Sequence, residues 1–146
     1  KDKKNRIGPF ELGTDGSGYN ALELEQGKKE VVMNGAKVLT FAMSIVPTNV
    51  KSLLTKIKKK TSDIDLYIFH QASKYILENI NRKLGLSKKQ VFENYAKVGN
   101  TISASIPIAL KDASKKHIKK NFKIILAGYG VGLSWGSVYI RWNNIK

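Results

Sequence analysis

Leu66-Tyr67-Ile68-Phe69 is an unbroken apolar run that stops at His70. A run of this length, rich in Tyr, Ile and Phe, predicts a buried strand. A polar residue at the carboxyl end of such a strand opens onto the crevice where open α/β sheets take their ligands. Thirty residues further on, Asn100 opens a second block, Asn100-Thr101-Ile102-Ser103-Ala104-Ser105-Ile106-Pro107. His70 and Asn100 together read as part of a catalytic site. Its nucleophile is missing, because the chain contains no cysteine.

The surrounding pattern supplies helices for such a sheet. Val38, Leu39, Ala42, Ile45, Val46, Val50, Leu53, Leu54 and Ile57 recur at intervals of three and four and predict one long helix. Pro47 is expected to kink or divide it. A second helix fits Ala72 to Leu84, with Ile76, Leu77 and Ile80 on one face and Gly85 as its stop. Ser87 is placed to cap a short turn through Val91. A third helix fits Thr101 to Lys116, with Pro107 near its start. Small residues at that start, Ser103, Ala104 and Ser105, allow close approach to another backbone. Ile7 to Leu12 reads as extended and Gly13 to Gly18 as a turn-rich loop without the Lys-Ser/Thr of a P-loop. Phe122 to Ala127 and Ser134 to Trp142 read as strands joined by Gly128 to Gly132. Helices between strands, closed by a hairpin, predict α/β with a mixed sheet. The long helices cover one face, and no segment is an obvious cover for the other.

With 146 residues the chain has the length of about one domain. It begins Lys1-Asp2-Lys3-Lys4, without Met or a signal-like stretch, and reads as a piece of a longer protein. No apolar run approaches the roughly 20 residues needed to cross a bilayer, so no membrane association is expected. Twenty-six Lys and Arg against 11 Asp and Glu give a net charge of +15, a field that attracts acidic partners. In Lys51 to Lys60 and Lys111 to Lys123 the lysines alternate with Leu53, Leu54, Ile57, Ile118 and Phe122, as on the wet sides of helices. That pattern favours solvated faces over a nucleic-acid site. A non-catalytic basic module binding an acidic carrier protein or nucleic acid remains the alternative reading. Without cysteine there are no disulfides or thiolate zinc sites, and with only His70 and His117 no metal site is expected.

A His at a strand end and an Asn at a helix start can donate hydrogen bonds to one carbonyl oxygen and hold negative charge that develops there. Asn100 can equally cap the helix that follows it. Five blocks then occur in order between about Ile7 and Trp142: Leu12-Gly13-Thr14-Asp15-Gly16; Met33-Asn34-Gly35 with Val38; His70-Gln71-Ala72; Gly99-Asn100-Thr101 with Ser105-Ile106-Pro107; and Gly128-Tyr129-Gly130-Val131-Gly132-Leu133-Ser134-Trp135-Gly136, ending in Arg141-Trp142. In these blocks the chain resembles the C-terminal half of 3-oxoacyl-acyl-carrier-protein synthase III, one of the thiolase-like condensing enzymes.

The resemblance implies a thiolase-like fold of two similar halves in αβαβα layers. Residues 1–34 would end the N-terminal half and its connecting loop, and residues 35–146 would form the C-terminal domain. The nucleophilic Cys would lie in the other half, so the 146 residues alone are expected to perform no acyl transfer. In the implied reaction acyl-CoA acylates the Cys, malonyl-acyl-carrier-protein loses carbon dioxide, and its carbanion attacks the acyl thioester. His70 and Asn100 would hold the malonyl thioester oxygen. The backbone N–H of Val131 would hold the second oxyanion. Relatives often have Gly at this position, so either φ is negative at Val131 or that donor is displaced. No cofactor is implied. Lys74, Arg82 and Lys83 would meet the acidic carrier protein, while Thr40, Ser73 and Tyr75 depart from the family pattern. Leu39 and Phe41 are expected in the core, with an acyl channel as the alternative. The resemblance further implies a cytoplasmic homodimer.

Overall fold

In a computed structural model that describes residues 6–24, 27 and 29–143, the strands are β1 (Ile7–Thr14), β2 (Leu22–Glu23), β3 (Val32–Met33), β4 (Leu66–Phe69), β5 (Lys123–Gly130) and β6 (Ser134–Arg141). The helices are α1 (Gly35–Lys56), α2 (Lys74–Leu84), α3 (Tyr95–Val98) and α4 (Ser105–Lys116). The opening Lys1 to Lys4 and the end of the 35–146 segment lie outside the described residues. Four strands form one sheet in the order β1-β6-β5-β4, with β4 parallel to β5 and the other pairs antiparallel. The mixed α/β sheet is the expected one. It crosses the division expected at residue 34, because β1 pairs with β6 from Ile7 to Thr14.

All four residues of β4 are buried, and successive side chains enter different cores. Tyr67 and Phe69 join a cluster with α1 and α2, including Val46, Val50, Leu53, Leu77 and Ile80. Leu66 and Ile68 join a second cluster with Ala109 and Ala113 of α4 and with Ile118 and Ile124. Thus α4 covers part of the face for which no cover was expected, chiefly over β4 and β5. At the far edge of the sheet Phe10 and Leu12 of β1 remain 50% and 74% exposed.

Pro47 neither divides α1 nor reaches solvent: the helix runs unbroken for 22 residues, with Asn34 capping its start. Interior proline costs about 3 kcal/mol. The buried row Ala42, Val46, Val50, Leu53 and Leu54 outweighs that penalty by packing on the sheet. Contrary to expectation, α1 is long and apolar enough to cross a membrane by length and composition, with a mean hydropathy of 1.2. Here its buried face forms the main core. Lys51 and Lys56 are exposed beside buried Leu53 and Leu54, as the alternating pattern predicted.

Ser73 caps α2, and Gly85 at φ 66° ends it. The helix expected from Thr101 instead begins as a 3-10 turn at Ile102–Ala104, and α4 starts at Ser105. Ile102 has φ 52°, which a β-branched residue rarely adopts and which a continuous helix excludes. Between β5 and β6 the turn is only Val131 to Leu133, shorter than the glycine run suggested. Asp15 and Leu133 exchange backbone hydrogen bonds of 2.8 and 2.9 Å that tie this turn to β1.

Candidate active site

β4 delivers His70 to the carboxyl edge of the sheet, where its backbone N–H donates to the Ala127 carbonyl at 2.9 Å. The next residue locks the strand end. Buried Gln71 donates to the Phe69 carbonyl at 2.8 Å and accepts from Asn94 N–H at 3.0 Å. The imidazole packs edge-on against Tyr129, with centroids 5.3 Å apart, and its Nδ1 lies 2.6 Å from Ser105 Oγ. Burial pushes the His70 pKa below its ordinary 6.5, because the charged ring loses water. The ring is therefore neutral at pH 7.

Asn100 precedes the 3-10 turn by two residues and, contrary to the capping alternative, does not cap α4. Its Oδ1 accepts from Ile102 N–H at 2.9 Å, which leaves the amide NH₂ as its remaining donor group. This is an Asx-turn, in which the side chain two residues back takes the N–H, and the left-handed φ of Ile102 then redirects the chain that follows it. Both site residues line an open cleft of about 850 Å³, together with Met33, Ile102, Ile106 and Val131. Both also line an adjoining channel of about 290 Å³ walled by Gly35, Leu39, Phe41, Ser73 and Tyr129. Leu39 also packs against the core, and Phe41 contacts the rings of Tyr129 and Trp135.

In the β5–β6 turn the left-handed conformation falls on Gly132, at φ 141°, and not on Val131. Val131 is accommodated without positive φ and lines the cleft that holds His70 and Asn100. The three basic residues of α2 diverge. Lys74, 3.8 Å from Glu78, and Arg82 line a groove of about 690 Å³ beside residues 86–93, whereas Lys83 donates to the Met43 carbonyl on α1. His117 is exposed at the helix end and edge-on to Phe92. Among the described residues no group of three or more His, Cys, Asp or Glu is placed to hold a metal.

The sequence reading did not single out two site neighbours, Ser105 and Tyr129. Ser105 lies in the same block as Asn100 and is one of its small residues; only the fold places its hydroxyl on His70. Tyr129 was hidden among glycines, where a two-residue strand period is the signal for its facing.

Residues 54–142 match the family described as 3-oxoacyl-[acyl-carrier-protein (ACP)] synthase III C terminal. The chain belongs to that family. Beta-ketoacyl-[acyl-carrier-protein] synthase III of Natranaerobius thermophilus is 38% identical over 91% of this chain and 45% of its own length. The enzyme of the same name from Staphylococcus aureus strain Newman is 37% identical over 91% of this chain and 43% of its own. The chain thus spans about half the length of the curated relatives it matches. Among solved structures, 3-oxoacyl-(acyl carrier protein) synthase III from Pseudomonas aeruginosa PAO1 superposes with a TM-score of 0.93 at 31% identity, over 100% of this chain and 48% of that one. The synthase III of Aquifex aeolicus VF5 gives 0.91 at 31% identity, over 97% of this chain and 46% of its own. These matches establish the thiolase-like fold of the condensing enzymes, of which this chain corresponds to the C-terminal half.

The buried ring gives a pH signature. In the unfolded chain His70 takes up a proton near pH 6.5, while the folded ring resists it, so the unfolded state binds more protons in this window. Stability is expected to be full above pH 6.5 and to fall as the pH drops through the lowered folded value. Glu11, Asp15 and Asp112 carry lowered pKa values from ordinary values of 4.5, 3.8 and 3.8, and lose their contribution only at more acid pH. Urea midpoints of wild type and His70→Gln, compared from pH 7 down to 4.5, should converge as the pH falls. Parallel curves would show that the ring protonates as easily folded as unfolded.

Proposed function

We propose that this chain supplies the enolate-holding half of a 3-oxoacyl-acyl-carrier-protein synthase III that condenses an acyl-CoA starter with malonyl-acyl-carrier-protein. The observation that carries the reading is the convergence of His70 and Asn100 on one cleft, with Asn100 Oδ1 already occupied by Ile102 N–H. As the malonyl C–C bond breaks, its electron pair moves into the thioester and charge gathers on the carbonyl oxygen. Two N–H donors aimed at that oxygen stabilise the charge as it develops. The enolate carbon then attacks the acyl thioester. The backbone N–H of Val131 holds the tetrahedral oxyanion, and the thiolate leaves. The nucleophile must come from outside these cysteine-free 146 residues, which should show no acyl transfer by themselves.

The channel beside Gly35 and Ser73 is the path proposed for the pantetheine arm, whose length suits a narrow, mainly apolar passage. Lys74, Arg82 and Lys83 on α2 are proposed to steer the acidic carrier protein, an effect on encounter more than on affinity. Homodimerisation and a cytoplasmic location belong to the same reading, with neither nucleic acid nor membrane as a partner.

The test supplies the full-length polypeptide with acyl-CoA and malonyl-carrier protein and follows carbon dioxide release. Absence of release with any starter would sink the reading. Gly35→Leu probes the channel. A Cβ at Gly35 meets nothing within 4 Å, so the fold should tolerate the change. The longer side chain enters the passage, and kcat/KM for malonyl-carrier protein should fall about tenfold or more as the thioester is displaced. An unchanged value would place the arm elsewhere.

A further inference from the structure

We infer that Ser105 is a positioning residue that holds His70 in the tautomer protonated on Nε2, with the Ser105 hydroxyl donating to Nδ1. Ser105 is the first residue of α4 and is 1% exposed. Its Oγ lies 2.6 Å from His70 Nδ1, a short contact with a defined partner. The same oxygen faces the backbone N–H of Gln71 at 3.4 Å. That N–H can only donate, so it takes one of the hydroxyl oxygen's lone pairs and cannot receive the hydroxyl proton. The hydroxyl proton is then directed to the acceptor in reach, Nδ1.

A neutral imidazole carries one proton. With Nδ1 accepting, that proton resides on Nε2, which makes the ring a hydrogen-bond donor to the cleft and not a base. Had Nδ1–H donated to Ser105, Nε2 would present a lone pair to a carbonyl oxygen, and the two would repel. The small side chain at the start of α4 has a use here: Ser105 brings the helix against the end of β4 and bonds to both His70 and Gln71 there. His70 and Asn100 are thereby treated alike. In each, a neighbour in the segment 102–105 occupies the other polar atom, Ser105 for the imidazole and Ile102 N–H for the amide.

The catalytic consequence rests on the proposed enolate-holding role; the tautomer does not. The experiment records ring ¹⁵N spectra of histidine-labelled full-length protein near pH 7.5, with His70 assigned by the signals lost in His70→Gln. Wild type should show a pyridine-type Nδ1 and a pyrrole-type Nε2. Ser105→Ala should shift both signals towards a mixture of tautomers, and Ser105→Thr, which keeps the hydroxyl, should restore the wild-type pattern. Ser105→Cys, with its weaker donor, gives the same reading if the alanine variant does not fold. Carbon dioxide release from malonyl-carrier protein should fall about tenfold to a hundredfold in Ser105→Ala, chiefly in kcat, and recover in Ser105→Thr. A pyrrole-type Nδ1 in wild type, or a Ser105→Ala spectrum identical to wild type, overturns the assignment. The expected spectra in a protein that releases no carbon dioxide uphold it and refute the proposed reaction instead.

Discussion

In the full-length polypeptide, His70→Ala is expected to slow carbon dioxide release from malonyl-carrier protein by about a hundredfold to a thousandfold, and Asn100→Ala by a similar factor. Each variant leaves one donor where two converge. The ground-state carbonyl needs little help, whereas the transition state concentrates negative charge on its oxygen, so the loss should fall on kcat more than on KM. Because the donors serve one oxygen, the double variant should lose less than the product of the single losses. Acylation of the nucleophile by acyl-CoA, read as a burst of free CoA, should survive in both variants, since His70 and Asn100 are proposed to hold the malonyl and not the acyl carbonyl oxygen. A loss of less than about fivefold in either variant, or an abolished burst with intact decarboxylation, would refute the division of roles between the two oxyanion sites.

The chemistry was legible where identity and local pattern decide it. The apolar run before His70 marks a buried strand end, and five ordered blocks mark the family. What sequence did not supply was contact across the fold. Ser105 is one of three small residues at the start of a predicted helix, and only the packing of α4 on β4 selects it for His70. The break at Ile102 was equally hidden. Its residue type favours extended or helical backbone, yet it sits at φ 52°, directly after the Asx-turn that Asn100 closes on its N–H. Pro47 illustrates the reverse, a local helix breaker overruled by a row of buried aliphatic contacts. Lys74, Arg82 and Lys83 lie within one helix, but a 100° turn per residue sends Lys83 towards α1 and leaves Lys74 and Arg82 on the groove. Cover for the second sheet face was unreadable because α4 lies over only part of it.

Phe69→Ala is expected to destabilise this chain by about 3–5 kcal/mol, a large share of the roughly 5–15 kcal/mol available to a domain. The ring is fully buried among α1, α2 and β4, and it stacks on Tyr67 with centroids 6.0 Å apart. Its removal leaves a void that neither helix can close without breaking contacts with the rest of the sheet. Leu12→Ala is the contrast within the same sheet. At 74% exposure on β1 it has little burial to lose, and its change should stay within about 0.5 kcal/mol. Urea unfolding of the 146 residues measures both, with unchanged m confirming that stability and not the extent of unfolding has moved. A small loss for Phe69→Ala would contradict the two-sided burial of β4 on which the placement of His70 depends. A loss for Leu12→Ala comparable to that of Phe69→Ala would mean that the open face of β1 is covered in solution, and the midpoint should then rise with protein concentration if copies of the chain provide that cover.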